Sequence, residues 1–249
     1  MKKNASDKAP SGDFIVDIGR LFIGKPYRDG MLENPGREKL TISLLAFDCM
    51  TFVENVLALS RCAVSGRFSS GVFKKYLQSI RYRGGKISGY SSRLHYFTDW
   101  MRDNVEKKLL IDLSGHLQAT PHRKKIDFMS THPELYPALK NKAQLAKMIN
   151  IEKTLSRKAF PAVDKENLGT GIKKIQSGDV IALVSNQQGL DVGHVGFALR
   201  QGKSLRLLHA SRREGKVVIS KKTLPAYLRS NKTFTGIIVT RPVIRIDCQ

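Results

Sequence analysis

GDVIALVSNQQGLDVGHVGFALRQGKSLRLLHAS, residues 178–211, decides how this chain folds. Its apolar runs, 179–184, 194–200 and 204–210, are separated by Gly- and Asn-containing turns, which is the length and punctuation of strands in a meander. Two further runs, 216–220 and 236–241, extend the pattern. Toward the N-terminus the spacing becomes helical. FDCMTFVENVLAL, residues 47–59, puts Phe52, Val53, Val56, Leu57 and Leu59 on an apolar face of a helix that opens at Asp48-Cys49 and runs to about Ser60. Shorter helices are expected over 14–23, 70–79 and 95–104. Helices first and an antiparallel sheet afterwards is an α+β layout.

Between about 109 and 165 the periodicity weakens. Thr120-Pro121 and His132-Pro133 interrupt it, and a polar helix is expected over roughly 137–149. The segment reads as an irregular and helical insertion within a single domain spanning 14–245, with residues 1–13 expected to be disordered.

The 249 residues are 41% hydrophobic, enough for a sizeable core. No apolar run approaches the roughly 18 residues of a membrane-spanning helix, so no membrane span is expected. The polar first dozen residues lack the apolar stretch of a secretory signal, yet they resemble what trimming of a signal leaves behind; the compartment stays open, leaning to the cell envelope, periplasmic or secreted.

Lys and Arg total 43 against 21 Asp and Glu, a formal net charge of +22 that implies an anionic partner. The basic residues are dispersed, which favours a generally basic surface over a nucleic-acid-binding tail, and no nucleic-acid partner is expected. Cys49, Cys62 and Cys248 are odd in number and widely spaced, which suggests neither a disulfide framework nor a paired-cysteine zinc site. No short histidine metal pair or phosphate loop occurs, and no metal or organic cofactor is required.

A thiol at a helix N-terminus, or beside an imidazole, becomes a better nucleophile because both favour the thiolate. Cys49 has the first feature; the alternative is a buried structural cysteine. His194 opens an apolar strand between Gly193 and Val195-Gly196, where an imidazole can face a cleft and serve as base. His209 ends the next strand, and a hairpin would bring it beside His194 to fix the orientation of the ring; read singly, it is a core-edge histidine.

With Gly24, Pro26, Tyr27, Asp48-Cys49, Gly178-Asp179, His194-Val195-Gly196 and His209-Ala210 in this order, the chain resembles the NlpC-type papain-like cell-wall cysteine peptidases. The phrases FDCMTFVENVLAL, IRYRGG, SRLHYFTDW, GLDVGHVGFAL and LLHAS resemble more closely the N-acetylmuramoyl-L-alanine amidase-like branch, over roughly 14–241. The resemblance implies a papain-like α+β fold with N-terminal helices packed on a C-terminal antiparallel sheet. It also implies cysteine-dependent hydrolysis of the amide joining N-acetylmuramic acid to L-alanine in peptidoglycan fragments, with anhydro-muropeptides preferred. By matching position Cys49 is the nucleophile, His194 the base and His209 the orienting residue. Tyr27 would support the oxyanion hole beside the Cys49 N–H. Met50 and Thr51 replace the serine and glycine that usually follow the nucleophile in the wider superfamily, which weakens any expectation of its usual γ-D-glutamyl endopeptidase specificity.

A muropeptide stem is anionic and calls for cationic or forked donors. Arg81, Arg83 and Arg93, with Tyr82, Tyr90 and Tyr96, are expected to line the cleft; the same cluster reads equally as a solvated basic face over aromatic core. Asp48 adjoins the nucleophile. His95, Tyr96 and Trp100 either wall the sugar or pack their helix, and for Trp100 packing is the stronger reading. Glu33 either binds a substrate amine or is a plain loop carboxylate. Rivals of the same fold are a γ-D-glutamyl endopeptidase and an acyltransferase. A rival of another class is a non-catalytic binder of anionic polymer, with salt-dependent affinity that survives Cys49→Ala.

Overall fold

A computed structural model describes residues 12–33, 36–169 and 171–244. The expected disorder at the N-terminus falls largely outside these residues, as does Cys248. Within them the chain forms α1 (Gly12–Arg20), α2 (Cys49–Val64), α3 (Ser70–Arg81), α4 (Phe97–Glu106), β1 (Leu110–Asp112), β2 (Thr120–His122), α5 (Phe128–Thr131), α6 (Lys142–Arg157), β3 (Phe160–Asp164), β4 (Val180–Ser185), β5 (Val192–Gln201), β6 (Ser204–Ser211), β7 (Lys216–Ile219), α7 (Leu224–Arg229) and β8 (Phe234–Pro242). It is an α+β protein with one antiparallel eight-stranded sheet, ordered β2-β3-β8-β4-β5-β6-β7, with β1 also pairing with β8. No helix among the described residues is long and apolar enough to cross a membrane.

Every residue of β4 is buried, as expected for a strand inside the sheet that is covered on both faces. Its even-numbered Val180, Ala182 and Val184 join Val195, Phe197 and Leu208 in a core with Phe47, just before α2, and Phe52, Val53 and Val56 within it. Its odd-numbered Ile181 and Leu183 join Ala198, Leu205 and Leu207 in a second core closed by Leu224 and Leu228 of α7. Phe47, Phe52 and Phe197 meet edge-on, at centroid distances of 5.9 Å for each successive pair, and these contacts fix the start of α2 against β5.

The expected insertion is partly corrected. Residues 109–165 are not only irregular and helical: they supply β1, β2 and β3, which extend the sheet beyond β8. They also build a third core, in which Ile126, Met129, Leu139, Met148 and Leu155 pack with Tyr90 and Tyr96. The polar helix of this segment starts and ends later than expected, at Lys142–Arg157, because Asn141 caps it by accepting from the Ala143 and Gln144 N–H groups. The helix α7 is an addition to the expected elements, and Pro225 stands in its first turn.

Candidate active site

Asp48 is the N-cap of α2. Its Oδ1 accepts from the Thr51 N–H at 2.7 Å, while the Thr51 hydroxyl accepts from the Asp48 N–H at 3.0 Å. This reciprocal pair fixes where the helix begins and leaves Cys49 as its first residue, half-buried at the positive end of the helix dipole.

β5 supplies the histidine. Leu183 pairs with His194 but Val184 pairs with Val192, so Gly193 is an extra residue in the ladder, a bulge at the head of the strand. A Cβ on Gly193 would come 3.1 Å from the Phe234 ring, which explains the glycine. The backbone of Val195, directly after His194, is hydrogen-bonded to the Cys49 sulfur. His194 Nε2 lies 2.6 Å from His209 Nδ1, with the two rings edge to face. Gly196 makes this possible: a Cβ there would lie 2.8 Å from the His209 Cβ, so only glycine lets the β6 histidine pack over this point of β5.

The electrostatics of this group are those of neutral partners. Burial and then the nearby Asp48 charge push the Cys49 thiol up to about 12, while the N–H groups of Val195, Cys49 and Met50 act in the opposite direction. Burial, followed by the proximity of His209, lowers His194 to about 3, and burial lowers His209 to about 4. Burial thus favours the uncharged form of all three side chains.

Tyr27 sits in a short bridge to Phe47, immediately before the Asp48 cap, and Pro26 bridges to Lys216 at the edge of β7. Burial and then the hydrogen bond to Asp29 raise its hydroxyl. That hydroxyl donates to Asp29 Oδ1 at 2.8 Å, so its single proton is engaged. The site also includes a residue that the sequence did not single out, Tyr227 of α7. Its ring stands edge-on to His209 at 5.8 Å. A lone tyrosine in a six-residue helix offers no spacing signal, and only the closure of α7 over β6 brings it here.

Beside Asp48 and Met50 lies an open cavity of about 180 Å³ whose lining includes Glu33, Arg81, Arg93, His95, Tyr96 and, from the insertion, Met129 and Tyr136. Arg81, 1% exposed, donates from Nε to Glu54 at 2.6 Å and from Nη1 to the Thr41 carbonyl. Arg93 binds Glu33 at 2.7 Å and the Leu32 carbonyl, and lies over the Tyr90 ring. Tyr90 donates to the second Glu33 oxygen, and His95 stacks on Tyr90 while its Nε2 meets the Tyr90 carbonyl. Burial, followed by the Arg93 charge, holds His95 well below its ordinary value.

Three residues expected to line the cleft do not border this cavity, and of these Tyr90 is buried with its hydroxyl on Glu33. Tyr82 is buried, its hydroxyl on Glu38, and it does not border this cavity. Arg83 lies against a different cavity, in a two-pronged pair with Asp99 at 2.5 and 2.9 Å. α3 ends at Arg81, Tyr82 is extended, and Arg83 opens a separate short helical turn, so the two arginines do not continue one helix face. Trp100 is fully buried in the first core, as its packing reading had it.

The fold is α+β, with a cysteine at a helix start and a histidine pair on adjacent strands, and its family is amidase-like. The chain belongs to the AmiA-like, N-acetylmuramoyl-L-alanine amidase-like family, whose model matches residues 17–237. It is similar to a solved N-acetylmuramoyl-L-alanine amidase from Bacteroides uniformis, with 40% identity over 93% of this chain and 98% of the other and a TM-score of 0.88. A Bacteroides fragilis protein described as a candidate xylanase is 43% identical over 90% and 99% of the two chains, with a TM-score of 0.85. A Legionella pneumophila protein is 25% identical over 96% and 91%, with a TM-score of 0.73. Comparison with curated proteins gives no match.

Proposed function

We propose that this protein is a papain-like, NlpC-type cysteine hydrolase that cleaves the amide between N-acetylmuramic acid and L-alanine in peptidoglycan fragments, anhydro-muropeptides among them, in the cell envelope. The observation that carries the reading is the junction of Cys49 with β5: its sulfur meets the Val195 backbone, while the preceding His194 is held by His209 at 2.6 Å. Family membership and the names of the Bacteroides uniformis relatives support the choice of bond.

In the competent tautomer His194 donates from Nε2 to His209 Nδ1, which leaves the lone pair of His194 Nδ1 to take the thiol proton. Because thiol and imidazole both rest neutral, proton transfer accompanies attack of sulfur on the lactyl carbonyl. Negative charge then develops on the carbonyl oxygen, and the unpaired N–H of Cys49 in the first turn of α2 is aimed to receive it. Protonation of the alanine nitrogen by the imidazolium releases the peptide and leaves a thioester. Water, activated by the same imidazole, hydrolyses that thioester. With its proton on Asp29, Tyr27 borders the sulfur rather than serving as the oxyanion donor.

The test is incubation of wild type and Cys49→Ala with an anhydro-muramyl tripeptide containing meso-diaminopimelate, with products read by mass spectrometry. Release of intact tripeptide by wild type, and a loss of at least about 1,000-fold in the variant, is the expected result. Cleavage after D-glutamate would move the specificity to an endopeptidase; turnover that survives the substitution would remove Cys49 from the mechanism.

A further inference from the structure

Resting on that reading, we infer that Lys124, contributed by the insertion, is a positioning residue for the catalytic histidine: its ammonium clamps the 185–191 loop that feeds His194 into β5. Lys124 Nζ lies 2.7 Å from the Ser185 carbonyl, 2.5 Å from that of Gln187 and 2.6 Å from that of Leu190. An ammonium has three donors, and here all three converge on carbonyls of a single seven-residue connection. A half-buried lysine would ordinarily run its stem along the surface and keep its head in water.

The neighbours of Lys124 grip the same loop. The N–H groups of Asp127 and Phe128 both donate to the Gly189 carbonyl at 3.1 Å, and Ile126 bridges to Gly189. Gly189 has φ +77°, and a Cβ there would meet the Asp127 carboxylate at 2.7 Å and the Phe128 N at 2.8 Å, so the approach requires glycine in both conformation and space.

From the clamp the connection to the base is short. Asp191, 1% exposed, receives the Thr98 N–H at the start of α4 at 2.8 Å and the Val192 N–H at 2.7 Å. Lys124 is a cation whose field reaches this buried carboxylate. Three residues after Asp191 comes His194, with the Gly193 bulge between. The loop thus has its outer carbonyls on Lys124 and its inner carboxylate on α4, and the histidine emerges from the tethered end. Without the ammonium, three carbonyls lose their donor and the loop is free to shift on its remaining tethers; a misplacement of about 1 Å at a base can cost on the order of 100-fold in rate.

The test combines the imidazole signals of uniformly 15N-labelled protein with kinetics, for wild type, Lys124→Met, the milder Lys124→Arg and the control Leu139→Ala. Leu139 is 2% exposed in the core of the insertion, and its truncation reports what general destabilisation does. The ring signals of His194 and His209, assigned by His194→Gln and His209→Gln, are expected to shift or broaden in Lys124→Met, with kcat reduced at least about 10-fold and KM little changed. Lys124→Arg keeps the charge but not the three-way convergence, so it should fall between; it also serves if Lys124→Met does not fold. Unchanged ring signals in both Lys124 variants overturn the inference whatever the activity, as does a loss that Leu139→Ala reproduces. A rise in KM at constant kcat overturns it too, because it places the role of the loop at Leu190 in the cavity wall. If wild type fails to cleave the muropeptide, the functional reading falls and the spectra still decide the clamp.

Discussion

Two buried polar assemblies flank the first turns of α2, and they are built on opposite plans. Around Glu33, Glu54, Arg81 and Arg93 the groups are charged and engaged with one another: each guanidinium has a carboxylate within 2.7 Å and a main-chain carbonyl besides. Around Cys49, His194 and His209 burial favours the uncharged forms, and the two imidazoles meet each other at 2.6 Å. The first assembly is held by its ion pairs, although Arg81 Nη2 and Arg93 Nε have no hydrogen-bond partner. The second is the one proposed to react.

The largest expected effect that separates the two is on stability. Glu54→Ala should leave Arg81 buried without its anion and cost about 3–5 kcal/mol, read as a lower midpoint in denaturant. His209→Gln should cost far less at neutral pH yet slow turnover on the order of 100-fold, because it removes the partner of the base. If both substitutions reduced stability equally, the contrast would be lost.

Next comes pH. His209 has a folded value near 4 against an ordinary value near 6.5, so the unfolded chain takes up its proton first. The contribution of this histidine is complete above about pH 6.5 and drains away as pH falls toward 4. Over that window wild type should lose up to about 3 kcal/mol relative to His209→Gln, measured by denaturation at each pH.

Gly196→Ala is smaller still in stability, about 1–3 kcal/mol, because a methyl would press on the His209 Cβ and the Leu208 carbonyl. It should nevertheless slow the reaction out of proportion, as it moves the ring that holds His194. At the bottom of the scale, Arg83→Ala removes a partly exposed pair with Asp99 away from the cavity, and should change stability by less than about 1 kcal/mol and leave turnover unchanged.

The same contrast explains what could be read from the sequence. Cys49 and His194 announce themselves through local rules, an N-cap three residues before a threonine and a glycine-flanked strand start; His209 follows because a tight hairpin brings the end of β6 back to the head of β5. The arginine assembly has no such rule. Arg81, Arg83 and Arg93 look alike in one basic stretch, yet α3 ends at Arg81, and Arg83 pairs with Asp99 beside another cavity. The three strands of the insertion escaped notice because two have only three residues, and one of those contains Pro121, whose missing N–H confines it to a sheet edge. Lys124 and Asp191 act through main-chain groups of distant segments, and no periodicity records that.

The junction of α2 with β5 also bears on how the chain acquires its chemistry. Cys49 and His194 lie more than half the chain apart in sequence, and the loop that leads to His194 is pinned by a segment lying between them. Such long closures are slow steps in folding, made after local helices and hairpins have formed. A nascent or half-folded chain therefore holds an ordinary cysteine, and the proposed site exists only when its most distant parts have met.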